Sequence, residues 1–329
     1  MAECSKVFFR ADGNSNIGFG HIYRLLSIAE ILKDQYECLL ITKRLENPLK
    51  KRVLSVFSGI HEIELEASTE NELDIIERLS NRGDLIILDG YNFITEYQLA
   101  LKSLGLKIIS IDDIHSFHFV SDVVINHAGG IKENVYSISN ETKLYLGVKY
   151  SILRESFRNL AKNRCQKPSN KIFICFGGSD PKNETLNTLK FLEQYNSGQT
   201  FYVVIGGGYL HGESLKSFLG QSKLNFELLN NLTTEEMIHY MNLCAAAVTA
   251  PSTISYEYLC SGGLLFLKQT AENQNNIFQY FIKEGLAFPL IQFGQLNQSQ
   301  KSFALNKQKL LFDGDSGNRI LEIIRSLAI

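Results

Sequence analysis

Short, almost wholly apolar runs that end in polar or glycine-rich clusters constrain this chain more than any other feature. Leu85-Ile86-Ile87-Leu88 runs into Asp89-Gly90-Tyr91, Ile108-Ile109-Ser110-Ile111 into Asp112-Asp113, and Val123-Val124-Ile125 into Asn126-His127. The pattern restarts at Ile172-Phe173-Ile174-Cys175-Phe176, which enters Gly177-Gly178-Ser179-Asp180-Pro181, and Phe201 to Ile205 enters Gly206-Gly207-Gly208. A strand that is apolar at every position has no face for water, so it belongs in a sheet covered on both sides. Helical patterns lie between the runs. Ile22, Leu25, Leu26, Ala29 and Leu32 follow the i, i+3, i+4, i+7 spacing of one buried face. The alternation predicts an α/β chain of two Rossmann-like, doubly wound domains facing a central cleft. The polar segment 162–171, with Pro168, reads as the link between them. That places an N-terminal domain at 1–160 and a C-terminal domain at 161–329. The final amphipathic helix, with Ile320, Leu321, Ile323, Ile324 and Leu327, is a candidate to pack back toward the first domain.

Composition narrows the function classes. A length of 329 residues suits two ordinary domains. A net charge of −2, with acidic and basic residues interspersed, argues against nucleic acid or an anionic membrane as a partner. The apolar runs are too short to cross a bilayer, so no stable membrane insertion is expected. The N-terminus leads directly into Val7-Phe8-Phe9 without the apolar core of a signal peptide. The six cysteines form no CxxC pair and fit reduced, buried thiols. A cytoplasmic monomer or weak dimer is expected.

In open α/β sheets, ligands bind beyond the carboxyl ends of the strands, which is where the polar clusters fall. Ile17-Gly18-Phe19-Gly20-His21 joins the Val7-Phe8-Phe9 strand to a helix. Its glycines allow close approach, and a helix start offers unpaired N–H groups. His21 is a candidate base or a histidine that merely braces the turn. Gly177-Gly178-Ser179 suits phosphate oxygens or is an ordinary strand–helix turn; no Walker A lysine follows it. Ser252 and Thr253 open a helix and could hold a diphosphate, with Glu257 one turn on to accept ribose hydroxyls. The alternative is a helix cap with a solvent-facing glutamate. Asn273 and Gln274 suit sugar hydroxyls or are likewise caps. His115, His118 and His127 lack clean metal-ligand spacing, and no metal or other cofactor is expected. Asp112-Asp113 reads as a magnesium-diphosphate site or as loop caps.

Taken together, these motifs resemble a known family. Arg10-Ala11-Asp12, Ile17-Gly18-Phe19-Gly20-His21 with Arg24, Asp89-Gly90-Tyr91, Ile111-Asp112-Asp113, the run Leu146 to Phe157, and Phe176 to Asn183 carry the resemblance, with Ser252-Thr253, Glu257 and Ala271 to Gln274. The family is that of the UDP-2,4-diacetamido-2,4,6-trideoxy-β-L-altropyranose hydrolases of pseudaminic acid biosynthesis. It looks GT-B-like and related to the peptidoglycan N-acetylglucosaminyl transferase. The resemblance implies a metal-independent hydrolase in which His21 activates a water that attacks the anomeric carbon with inversion, releasing UDP and free sugar. It implies that Tyr91 positions the water or sugar. It further implies substrate contacts at Arg10, Asp12, Gly18, Gly20, Gly177, Gly178, Ser179, Ser252, Thr253, Glu257, Asn273 and Gln274. The chain departs from the family at Ala250-Pro251, Tyr256, Val148, Tyr23 and the segment 113–118. A glycosyltransferase acting on an acceptor, and a non-catalytic binding protein, are the rivals.

Overall fold

The structure is a computed structural model; it describes residues 6–13, 19–45, 47–165, 167–168, 170–195 and 198–327. Two compact units appear, one of residues 1–155 and 315–329, the other of residues 156–314. In the first unit the elements run β1 (Lys6–Ala11), α1 (Gly20–Leu32), β2 (Glu37–Lys43), α2 (Asn47–Leu54), β3 (Gly59–Ile63), α3 (Thr69–Leu79), β4 (Leu85–Asp89), α4 (Thr95–Ser103), β5 (Lys107–Ile111), β6 (His118–Phe119), β7 (Val123–Asn126), β8 (Ser137–Ile138) and β9 (Lys143–Leu146). The second unit holds α5 (Glu155–Lys162, from its second residue), β10 (Lys171–Cys175), α6 (Glu184–Glu193), β11 (Thr200–Ile205), α7 (Gly212–Leu219), β12 (Asn225–Asn230), α8 (Thr234–Leu243), β13 (Ala246–Thr249), α9 (Thr253–Ser261), β14 (Leu264–Leu267), α10 (Asn275–Lys283), β15 (Phe288–Pro289) and α11 (Gln298–Leu311). The last helix, α12 (Ser316–Arg325), belongs to the first unit.

Each unit is built on a parallel sheet. The first orders its strands β3-β2-β1-β4-β5-β7-β9, the second β12-β11-β10-β13-β14-β15. Side chains alternate across a strand, so an all-apolar strand feeds two cores. Val7, Phe9 and Ala11 of β1 join Leu25, Ile28 and Leu32 of α1, with Ile320, Ile323 and Ile324 of α12. Phe8, between them, joins Ile76, Tyr97 and Leu101 on the other face. Burying each large side chain contributes about 2 kcal/mol. That is why both faces of these strands are apolar, apart from the buried Arg10 in β1 and Ser110 in β5.

The strand orders also fix where a ligand can approach. Chain connections leave β1 and β4 in opposite directions, as they do β10 and β13, and a crevice opens at such switch points beyond the carboxyl ends. Ala11 and Asp89 are paired in register at one switch point, and Cys175 and Thr249 at the other. The residues that follow those strand ends are the candidate sites.

Candidate functional site

In the first unit, β4 presents Asp89 and α1 presents His21 and, one turn later, Arg24. Phe19 caps α1 without a side-chain hydrogen bond. Asp89 is fully buried. His21 Nδ1 lies 2.7 Å from Asp89 Oδ1. Arg24 donates from Nε to Asp89 Oδ2 (2.8 Å) and from Nη2 to Oδ1 (2.6 Å), and from Nη1 to Asp113 Oδ2 (2.8 Å). Arg24 Nη2 also stands 2.7 Å from His21 Nδ1. The Asp89 carboxylate favours a proton on Nδ1, which makes Nε2 the basic nitrogen, whereas Arg24 Nη2, a donor only, favours the opposite tautomer. Among the described residues, Nε2 has no hydrogen-bond partner. The edge-on ring of Tyr91 lies 5.0 Å from that of His21. His21, Arg24, Asp89, Tyr91, Asp113 and Ile114 line one pocket.

Electrostatics at this pocket follow from burial and one arginine. Burial works to raise the Asp113 carboxyl, but the Arg24 guanidinium outweighs it and holds the group below its usual range. Burial and the nearby Asp113 carboxylate push the Tyr91 hydroxyl up, so it stays protonated and able to donate. His127 stands close to the same charges. Burial first, then Arg24, pushes its imidazole down to about 4, which keeps it neutral.

Two residues expected at the substrate have other work. Arg10 is 1% exposed. It donates to Asp12 from Nη1 and Nη2 (2.5 and 3.0 Å) and to Glu72 from Nε and Nη2 (2.6 and 3.0 Å). Its guanidinium lies 5.0 Å over the Phe93 ring, and Tyr97 donates to the same Glu72. Asp12 also accepts the Lys43 backbone N–H at 2.9 Å. Arg10 is thus a buried tie from β1 to α3, with four of its five N–H donors engaged by Asp12 and Glu72. Asp112 is likewise engaged. It accepts the N–H groups of Ile114 and His115 and the Tyr136 hydroxyl, holding a turn in which His115 takes a positive φ of 42°. His118 sits on β6 beside Ser137 and Ser139. Among the described residues no group of three or more His, Cys, Asp or Glu is arranged to hold a metal ion. Gly20 opens α1, and a Cβ there would meet nothing within 4 Å. Gly18 lies outside the described residues.

In the second unit the expected loops present backbone and hydroxyl groups, with no charged cluster. Gly177, Gly178 and Ser179 are exposed after β10, and Gly177 has a φ of +90°, a conformation suited to glycine. Gly178 O accepts the N–H of Gly208 at 3.0 Å. A Cβ on Gly206 would stand 2.5 Å from Gly178 Cα, so the two glycine loops pack backbone to backbone. Asp180 is buried, and its carboxylate accepts the N–H groups of Glu184 and Thr185 at 2.9 and 2.8 Å, closing the start of α6. Ser252 caps α9 without using its side chain for the helix, and Thr253 beside it is exposed. These groups are open to an anion at a helix N-terminus. Glu257 is buried, 6% exposed. The Gln274 side chain folds back on its own loop. Its Oε1 accepts the N–H groups of Thr270 and Ala271, and its Nε2 donates to Thr270 Oγ1 at 2.9 Å. The Gln274 amide thus braces its own loop in this structure, as a residue at a helix start can. The side chain of Asn273 lies outside the described residues.

Asp89 and Arg24 stand in the motifs that carry the resemblance but are given no role there, and Asp113, which the sequence reads as a magnesium-diphosphate ligand or a loop cap, is instead a partner of Arg24. A signal for a role existed for the first two. Asp89 is an acid ending an all-apolar strand, and Arg24 follows His21 by three residues, hence on the same helix face.

No protein-family model matches the chain. Over 290 residues it is 27% identical to an uncharacterised protein of Methanocaldococcus jannaschii, a match spanning 85% of this chain and 58% of that protein. It is 32% identical over 186 residues to the UDP-2,4-diacetamido-2,4,6-trideoxy-β-L-altropyranose hydrolase of Campylobacter jejuni, across 55% of this chain and 63% of that one. It is 26% identical over 286 residues to the spore coat polysaccharide biosynthesis protein SpsG of Bacillus subtilis, across 85% and 82%. The chain thus spans about three-fifths of the first two relatives. Among solved structures, MurG of Acinetobacter baumannii superposes with a TM-score of 0.69 at 12% identity, covering 98% of this chain and 99% of that one. A UDP-glucosyltransferase of Polygonum tinctorium does so with a TM-score of 0.67 at 12% identity, covering 98% of each. These neighbours and the two parallel sheets establish the fold as GT-B, carried by a chain distantly related to a sugar-nucleotide hydrolase and a polysaccharide biosynthesis protein.

Proposed function

We propose that the protein is a UDP-sugar hydrolase releasing UDP and a free amino sugar, the class of reaction that the Campylobacter relative's name describes. The observation that carries this is the buried Asp89 carboxylate against His21 Nδ1, which orients Nε2 as a base. In the proposed step Nε2 takes a proton from water, and the water oxygen bonds to the anomeric carbon. The bond from that carbon to the phosphate oxygen breaks, and its electrons leave with UDP. The resulting imidazolium is stabilised by Asp89, as in other histidine–carboxylate pairs. Tyr91, exposed beside His21, is assigned to the water or sugar. The second unit is assigned the nucleotide: Gly177, Gly178, Ser179, Ser252 and Thr253 meet the diphosphate as charge builds on it, and Glu257 the ribose. No cofactor or metal enters the scheme. The substrate proposed first is the diacetamido-trideoxy-altropyranose nucleotide of the resembled family, which places the enzyme in pseudaminic acid biosynthesis.

The test is an assay of UDP-linked diacetamido sugars without any acceptor, in water enriched in heavy oxygen. UDP release with one labelled oxygen in the sugar supports the proposal. Label in UDP, or turnover only when an acceptor is added, overturns it in favour of phosphorus–oxygen cleavage or of transfer. His21→Asn should lower turnover ~10²–10⁴-fold while UDP still binds.

A further inference from the structure

The second unit contains a pocket of about 420 Å³ that the proposed chemistry does not use. Gly177, Gly178, Ser179, Ser252, Thr253 and Glu257 are all absent from its lining. One wall is a single stripe of α6: Glu184, Asn187, Thr188 and Phe191, spaced i, i+3, i+4, i+7. Opposite stand Phe278 of α10 and the Leu290-Ile291 turn after β15. Ile291 is 69% exposed, and Phe191 and Phe278 are half-buried, so apolar surface faces the open pocket.

The polar groups in that lining point to a ligand. Thr188 is only 1% exposed, and its hydroxyl has no hydrogen-bond partner among the described residues. A buried hydroxyl left unpaired costs about 1–3 kcal/mol, a cost that a bound donor or acceptor would remove. Asn187 adds a carboxamide at the rim. Gln269 adds another, whose Nε2 donates to Ala271 O while no hydrogen bond to its Oε1 is seen among the described residues. Glu184 and Lys268 bring one charge of each sign, and neither forms an ion pair among the described residues. An anion gains no net attraction from such a pair, and neither does a cation. Phe191 and Phe278 line the pocket, and the face of a phenyl ring is electron-rich and attracts weakly positive C–H groups. Carboxamides and a hydroxyl both donate and accept.

From this lining we propose that the pocket is a saccharide-binding site, taking a neutral sugar ring whose C–H face lies on Phe191 or Phe278 and whose hydroxyl or amide groups reach Thr188, Asn187 and Gln269. Its volume is within the range of small-ligand sites. It is separate from the residues assigned to the nucleotide, so it stands whether or not UDP-sugar hydrolysis is the reaction.

N-acetylglucosamine and glucose are suitable probes, with binding followed by ligand-observed NMR and by chemical shifts of the labelled protein. Millimolar binding should appear, with shifts at α6 and α10. Thr188→Val keeps the shape and removes the orphan hydroxyl; it should weaken the sugar at least threefold without lowering the melting temperature. Asn187→Trp, at an exposed position on the rim, should abolish sugar binding by filling the mouth while UDP affinity stays within twofold of the parent. The proposal is overturned if neither sugar binds at tens of millimolar, if Asn187→Trp leaves binding intact, or if the pocket takes only an aromatic anion such as anilinonaphthalene sulfonate. Loss of UDP binding in the parent would instead count against the proposed function and leave the pocket's test unaffected.

Discussion

The two switch points of this chain have the same topology and opposite chemistry. At β1/β4 the strand ends deliver side chains: a buried aspartate, a histidine, an arginine and a second aspartate locked together within 2.6–2.8 Å. At β10/β13 they deliver backbone: three exposed residues after β10 and a helix start whose serine makes no capping bond. The first arrangement can move a proton. The second offers an anion backbone N–H groups and hydroxyls, and its nearest carboxylate in the loop, Asp180, is occupied by the N–H groups that start α6. A doubly wound sheet does not dictate which of these a crevice becomes. The residues just past the strand ends decide.

The largest expected effect separates the two functions. Asp89→Asn keeps the size of the side chain but removes the charge that orients Nδ1 and pairs with Arg24. The variant should lower kcat about 10³-fold, by analogy with other histidine–carboxylate pairs, and leave the Kd for UDP within a factor of about two. It should also lose stability, on the order of 3 kcal/mol, because Arg24 is left partly buried with half its partners. Equal losses in kcat and UDP affinity would erase the distinction between the two crevices.

A pH experiment sharpens the same contrast. His127 is held neutral near Arg24 down to about pH 4, whereas an unfolded histidine takes up its proton near 6.5. Between those values the unfolded state binds more protons, so stability should fall as pH drops from 6.5 to 4 and level off for this group below 4. The loss amounts to about 3 kcal/mol at 1.36 kcal/mol per unit. In His127→Gln that part of the slope should vanish from denaturant titrations at pH 4, 5 and 6.5. An unchanged slope would show that the imidazole is not held neutral.

In the second unit, Gly206→Ala puts a methyl group 2.5 Å from Gly178 Cα, and the nearest atoms it meets are all Gly178 backbone, which cannot swing away as a side chain could. One glycine loop must shift, at a cost of about 1–3 kcal/mol. UDP affinity should fall roughly tenfold, read by calorimetry, while His21 and Asp89 are untouched. Unchanged UDP affinity would remove the Gly177 loop from the nucleotide site.

How much of this was legible in the sequence depends on the distance over which a residue's role is decided. The sheets were legible, because an all-apolar run is buried on both faces whatever its neighbours. The glycine loops were legible too: Gly177 takes a positive φ by its own backbone geometry. Arg10 was not. Its partner Glu72 lies 62 residues away, and nothing local tells an arginine that binds substrate from one that ties β1 to α3. Asp89 stood in plain view at a strand end, but its role comes from His21, 68 residues earlier. The hydroxyl of Thr188 carried no signal, because Thr in an amphipathic helix is ordinary until the pocket beside it is known.

The smallest expected effect tests the place where a sequence-based assignment and the structure diverge most narrowly. Gln274 was expected to touch sugar or phosphate, and its amide instead holds the Thr270-Ala271 turn. Those roles use different atoms. The backbone N–H groups need only the acceptor Oε1, whereas a sugar oxygen or phosphate needs the donor Nε2. Gln274→Glu keeps an acceptor at the Oε1 position, puts a second acceptor oxygen in place of Nε2 and so removes the donor. If the side chain is a loop anchor, the melting temperature should stay within a degree or two and KM within about twofold. Gln274→Ala, which strips the turn of its cap, should cost roughly 1 kcal/mol. If Gln274 is a substrate ligand, the order inverts: the glutamate variant should raise KM more than the alanine variant, because a carboxylate facing a diphosphate repels it.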